Sequence, residues 1–320
     1  MTNAPLNLVA DIGGTNTRVA LADGKTLRTD SIRRFKNAEY PGLETILRRY
    51  LDEAGIDDCD GACVAAAGPV RGGVAHMTNL DWTIDGDALA RATKAESVAI
   101  LNDLQAQGFA IGHIAAENLA EIVPGPAASA DSAKLVIGVG TGFNAAPVHE
   151  TPWGRVVAAS ECGHVNMPIR SEADLRLAHF VETAHGFPGV EDVMSGRGLE
   201  RLYAFVTTES GTPAELSAAE IVAGMGAEGP AQEAVKLMVR LLGSEAGNLA
   251  LIHLPFGGVY LCGGVARAIA PQLAAMGFAE AFRDKGRFAG FMQNFSVTVI
   301  EDDYAALTGC AAYLAQGAKG

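Results

Sequence analysis

An apolar run, Leu8-Val9-Ala10, leads into Asp11 and then Gly13-Gly14, after which alternation resumes through Val19-Ala20-Leu21. That pattern predicts a β-hairpin with a glycine turn. Residues 31–35 predict a third strand, and Leu43, Ile46, Leu47, Tyr50 and Leu51 fall on one face of a helix opened by Tyr40-Pro41-Gly42. A short apolar strand, 61–67, stops at Gly68-Pro69, and residues 75–82 form a polar loop anchored by Trp82. A helix over 87–92 follows. The next apolar strand, 97–101, ends in Asn102-Asp103, and a helical pattern resumes through Leu104, Phe109 and Ile111.

Residues 115–133, rich in Ala, Pro and Ser, predict a surface connection and a possible boundary. The opening device then recurs as Leu135-Val136-Ile137-Gly138-Val139-Gly140-Thr141-Gly142-Phe143-Asn144, again strand, glycine turn with hydroxyl, strand. Two such hairpins predict two related sheets facing each other across a cleft. A polar cluster at 160–166 has neither helical nor strand period. Helical patterns cover 172–184, 218–225 and 232–254, with Ser195 suited to cap the helix after it. A strand closed by Gly263-Gly264, a strand at 296–300 and a helix over 304–314 complete the chain.

Composition narrows the class. At 49% hydrophobic and 19% charged, with 38 glycines in 320 residues, the chain reads as an α/β protein. A formal net charge of −13 argues against nucleic acid or an anionic membrane as a partner, because either would need a basic face. None of the five cysteines lies in a Cys-x-x-Cys pair, so neither a zinc site nor a disulfide framework is expected. Residues 1–5 carry no basic region, and no apolar run nears the ~20 residues of a membrane span, so a cytoplasmic protein is expected.

Each glycine turn taken alone is either a turn or an anion cradle, since backbone N–H groups around such a turn can converge on a phosphate. Two could clasp a nucleotide's phosphates while Gly263-Gly264 lets a base or ribose lie against backbone. The P-loop and Rossmann spacings are absent, as is His-Glu-x-x-His. Asp103 either caps its helix or faces a substrate hydroxyl whose proton it accepts. Glu161, His164 and Glu191 offer carboxylates and an imidazole of the kind that pair with sugar hydroxyls.

In combination these residues resemble the bacterial ATP-dependent glucokinases, within the superfamily of sugar kinases, actin and heat-shock chaperone ATPases. Asp11-Ile12-Gly13-Gly14-Thr15-Asn16 is similar to the family's first phosphate motif, Gly138-Val139-Gly140-Thr141-Gly142 to its second, and Gly258 to Gly264 to its adenosine motif, which implies nucleotide contacts at Ala10, Asp11, Ile12, Gly13, Gly14, Thr15, Gly140, Thr141, Gly142, Gly263 and Gly264. The resemblance implies two actin-like (ribonuclease H-like) lobes, each a mixed sheet flanked by helices, with an interlobe cleft. The small lobe would be 1–110 plus 301–320 and the large lobe 111–300. It further implies ATP and Mg²⁺, with Asp11 holding the ion through water. Asp103 would be the general base for transfer of the γ-phosphoryl group to the 6-hydroxyl of glucose. Asn102, Glu161, His164 and Glu191 would hold the sugar, in a homodimer. Cys162 and Asn144 depart from the pattern, each replacing a family glycine; Asn144 is expected to keep its turn through a left-handed backbone. Other readings are a kinase for fructose, mannose or an N-acetyl hexosamine, and a nucleotide-dependent binding or regulatory protein of the same fold.

Overall fold

A computed structural model describes residues 4–77 and 80–317. Two compact units divide the chain: residues 1–116, 152–157 and 302–320 form one, and residues 117–151 and 158–301 the other.

In the first unit, Leu6–Ile12 pairs antiparallel with Asn16–Asp23, setting Leu8 opposite Leu21 and Asp11 opposite Arg18. On its other side Leu6–Ile12 runs parallel to Gly61–Ala66, which runs parallel to Ser97–Asn102. Leu8, Val9 and Ala10 are all fully buried, so both faces of this strand are covered and its apolar run is continuous. Register makes three strand ends level, since Ile12 pairs with Ala66 and Ala66 with Asn102. The carboxyl ends of parallel strands are where α/β sheets bind ligands.

Helix Leu43–Ala54 buries Leu43, Ile46, Leu47, Tyr50 and Leu51, the face read from its spacing, and stops at Gly55 with φ 68°. The last helix, Ala305–Gly317, packs on Asp103–Ala110. The strand expected at 31–35 begins later, at Arg33, after a two-residue strand at Thr26–Leu27. Ser31 is the cause: its hydroxyl accepts from the Leu21 N–H at 2.9 Å and donates to the Arg28 carbonyl at 2.6 Å, which closes a 3₁₀ turn instead. The polar loop at 75–82 is partly a hairpin, with Ala75 opposite Ile84 and His76 opposite Thr83. Thr78 and Asn79 of that loop lie outside the described residues.

The second unit repeats the arrangement. Lys134–Val139 pairs antiparallel with Phe143–Thr151 and parallel with Val259–Cys262, which runs parallel to Val297–Ile300. Its core gathers the sheet's inner face, helix Gly196–Glu209 and the 24-residue helix Pro230–His253, with Phe278 and Phe282 fully buried in the same cluster. The expected surface connection at 115–133 contains a strand, Leu119–Val123, antiparallel to Val297–Ile300. Among the described residues no helix is long and apolar enough to cross a membrane.

Candidate active site

The first glycine turn is closed by the Gly13 N–H donating to the Asn16 carbonyl at 3.0 Å. What fixes it is Asn37, only 2% exposed and absent from the sequence reading. The Asn37 N–H donates to the Thr15 carbonyl at 2.9 Å, its Nδ2 donates to the Gly13 carbonyl at 2.8 Å, and its Oδ1 accepts from the Thr17 hydroxyl at 2.8 Å. Thr15 stays exposed at the tip and Gly14 half-buried, so backbone there remains accessible. Ala10 and Ile12 are fully buried strand residues, which limits them to backbone contributions. Asp11 faces Arg18 across the hairpin at 3.1 Å. Burial pushes the Asp11 carboxyl above its ordinary range, and the Arg18 guanidinium opposes that rise.

At the end of Ser97–Asn102 the capping role falls to Asn102. Its Oδ1 accepts from the Leu104 N–H at 3.0 Å, while Gln105 Oε1 accepts from the Asn102 N–H at 3.1 Å, a reciprocal capping box. Asn102 Nδ2 also donates to the Gly68 carbonyl at 3.0 Å, tying this strand end to the neighbouring one. Asp103 is thereby the first helical residue, exposed, with Oδ1 accepting from the Leu104 N–H at 2.8 Å. Its carboxylate sits at a helix N-terminus, where negative charge is favoured.

In the second unit the glycine turn is tied to the polar loops. Gly140 N–H donates to the Gly142 carbonyl at 2.9 Å, and the Gly196 N–H donates to the Gly140 carbonyl at 2.8 Å. Glu191 Oε2 accepts from the Phe143 N–H at 2.9 Å, and the Glu191 N–H donates to the Gly163 carbonyl at 2.8 Å. Glu191 Oε1 lies 3.9 Å from Arg197 Nη2. The turn after Val139, the segment at 162–164 and Glu191 therefore form one assembly. Gly163 shows how tight it is: a Cβ there would overlap the Phe143 carbonyl. Gly263, with φ 99°, presses on the Val139 backbone, so a side chain fails there on both counts and Gly263-Gly264 is held beside the same turn.

Glu161 and His164 are exposed, the first just before the 3₁₀ turn Cys162–His164 and the second its last residue. Ser195 caps the next helix as expected, its hydroxyl accepting from the Gly198 N–H at 3.0 Å. Asn144 is not in a turn. It belongs to strand Phe143–Thr151 opposite Gly138, and it is absent from the described non-glycine residues of positive φ. Its side chain instead bonds the loop at 160–162. The expected left-handed role is therefore corrected, because the hairpin ends one residue earlier.

The structure thus assembles Gly140, Thr141, Gly142, Glu161, His164, Glu191, Gly263 and Gly264 within one unit, and Asp11 to Thr15, Asn102 and Asp103 within the other. Among the described residues no group of three His, Cys, Asp or Glu side chains could hold a metal. Asp11, beside the first glycine turn, offers a carboxylate of the oxygen-donor kind that Mg²⁺ takes alongside waters and phosphate oxygens.

Residues 8–317 match the family model for glucokinase. The glucokinase of Saccharophagus degradans is 34% identical over 315 residues, covering 97% of this chain and 98% of that one. Among solved structures, a glucokinase from an Antarctic psychrotroph superposes with a TM-score of 0.86 at 31% identity, over 97% and 98% of the two chains. A glucokinase from Balamuthia mandrillaris in complex with glucose shares the fold, with a TM-score of 0.81 at 22% identity over 98% and 94%.

Proposed function

The chain belongs to the glucokinase family and is an ATP-dependent kinase that phosphorylates glucose, and from that premise we propose how its residues divide the reaction. Asp103 accepts the proton of the glucose 6-hydroxyl as that oxygen attacks the γ-phosphorus. The bond from γ-phosphorus to the bridging oxygen breaks, and glucose 6-phosphate and ADP leave. Asn102, Glu161, His164 and Glu191 hold the sugar hydroxyls. The turns at Gly13-Gly14-Thr15 and Gly140-Thr141-Gly142 bind phosphates through backbone N–H groups, and Gly263-Gly264 takes the adenosine side. Asp11 would hold Mg²⁺ through water, and the ion when bound offsets phosphate charge. The base belongs to a small lobe of 1–110 plus 301–320, and the sugar carboxylates to a large lobe of 111–300. A cytoplasmic homodimer belongs to the same reading.

The observation that carries the base assignment is that Asn102 caps the helix. Asp103 is left exposed one residue past a strand end level with the phosphate turn. Phosphoryl transfer asks little of the protein beyond positioning and charge, and a single carboxylate at the acceptor oxygen is a recurring part. In a coupled ADP assay, Asp103→Asn is expected to lose at least ~10²-fold in kcat. Calorimetry should still register glucose. Near-full turnover by a folded variant would remove Asp103 from the role. A panel of fructose, mannose and N-acetyl hexosamines in the same assay fixes the breadth of acceptance, with glucose expected to lead.

A further inference from the structure

Asn144 and Cys162, the two departures from the motifs this chain resembles, touch. Asn144 Oδ1 accepts from the Cys162 N–H at 3.2 Å and from the Cys162 thiol at 3.5 Å. The same oxygen accepts from the Ser160 hydroxyl at 2.9 Å and from the Ala145 N–H at 2.8 Å. Asn144 Nδ2 donates to the Ser160 carbonyl and reaches Glu161 Oε2 at 3.4 Å. One side chain therefore gathers the donors and acceptors of three successive residues, 160 to 162. A glycine at 144 could supply none of those bonds.

We propose that Asn144 is a positioning residue that sets glucose affinity by holding the Glu161 carboxylate and its loop ready for the sugar. The proposal rests on the reading of Glu161 as a sugar contact. An exposed Glu side chain has rotamer freedom that must be surrendered when it binds. Tethering the loop at its base and the carboxylate at its tip lowers that cost before sugar arrives. Because Asn144 sits on the strand that begins at the glycine turn, the tether also seats the loop on a hydrogen-bonded sheet strand.

Steady-state kinetics with Asn144→Asp and Asn144→Gly, alone and combined with Glu161→Gln, tests this. Asn144→Asp keeps the acceptor and puts a second anion beside Glu161. It is expected to raise the glucose KM about tenfold, the weight of one hydrogen bond to a charged group, with kcat and the ATP KM within about twofold. In the Glu161→Gln background the effect should shrink to about twofold, because the tethered charge is gone. Cys162 gives a second readout, being the one cysteine of the five that is not buried. Its alkylation by iodoacetamide should quicken several-fold in Asn144→Gly, which frees the loop without adding charge, and glucose should slow it again. Thermal melts establish that each variant is folded. Should Glu161→Gln raise the glucose KM while neither Asn144 variant does, the positioning role is overturned and Glu161 keeps its own. A raised ATP KM with glucose unchanged would equally overturn it, assigning Asn144 to the phosphate turn. If Glu161→Gln leaves the glucose KM unmoved, the sugar role of Glu161 falls and takes the proposal with it.

Discussion

The turn after Ile12 and the turn after Val139 occupy matching places, each following the inner strand of a hairpin whose other neighbour runs parallel. Their supports come from different distances. Asn37, from the short turn after strand Arg33–Lys36, holds the first, and that strand already pairs with the hairpin. The second is held by Glu191, Gly196 and Gly263, from segments far along the chain that also carry the expected sugar and adenosine contacts. One turn is a local device; the other is bonded to the residues expected to grip the sugar. A phosphate and a sugar bound in the second unit should therefore feel each other's absence, whereas losses at the first turn should stay with the nucleotide.

The largest effect expected from that contrast belongs to Glu191. Glu191→Ala removes a carboxylate proposed to hold the sugar and leaves the Phe143 N–H without its acceptor. A hydrogen bond to a charged group weighs about 1.5–3 kcal/mol, so the glucose KM should rise roughly 10- to 10²-fold. The ATP KM should rise with it, by several-fold. Rate measurements varying each substrate in turn would dissolve the contrast if the ATP KM stayed at its wild-type value.

Asn37→Ala is the counterpart on the other side and should do less. It strips the Gly13 carbonyl and the Thr17 hydroxyl of their partners in a buried spot, a loss of about 1–3 kcal/mol. Part of that cost appears as a lower melting temperature and part as an ATP KM raised up to about tenfold. The glucose KM should not move. An Asn37→Ala enzyme with weakened glucose binding and normal ATP binding would show that the first turn is not the local device described.

Both hairpins, their glycines and the strand ending in Asn102-Asp103 were legible because those signals are local: alternation, paired glycines, a polar stop. The capping box was legible in principle too, as Asn102 three residues before Gln105, and resolved which of two polar residues is the cap. Leu119–Val123 was not, since its partner Val297–Ile300 lies at the far end of its unit and its neighbours are Ala, Pro and Ser. The paired segments around Ala75 and Ile84 are three residues each, too short to show a period. Asn37 and Asn144 escaped for a different reason. Their work is side chain to backbone across the fold, and an isolated Asn in a sequence carries no mark of which carbonyl it will reach.

The smallest effect separates two carboxylates, one in each unit: Asp174 is fully buried, and the Asp11 side chain is 17% exposed. Burial pushes Asp11 above 3.8, and Arg18 reduces that rise without cancelling it. Burial also works to raise Asp174, but Arg240, the Arg170 N–H at 3.0 Å and Ser171 overcome it, so its carboxyl lies below 3.8. The signs of their stability contributions follow. The folded state favours protonated Asp11, so its share of stability is greatest in acid and declines as pH rises from 3.8 through the raised value. Asp174 contributes above 3.8, and that contribution is lost as pH falls through its lowered value. Urea unfolding without nucleotide, as a function of pH, should show Asp11→Asn gaining on the wild type as pH climbs, by no more than about 1 kcal/mol for a partly exposed pair. Asp174→Asn should lose ground lower down, as pH climbs from the lowered value of Asp174 to 3.8. A difference curve for Asp11→Asn that fell with pH would mean the Arg18 pair outweighs burial. The first turn would then stand on an ion pair, as Asp174 does, and the two units would be alike in how they tolerate a buried charge.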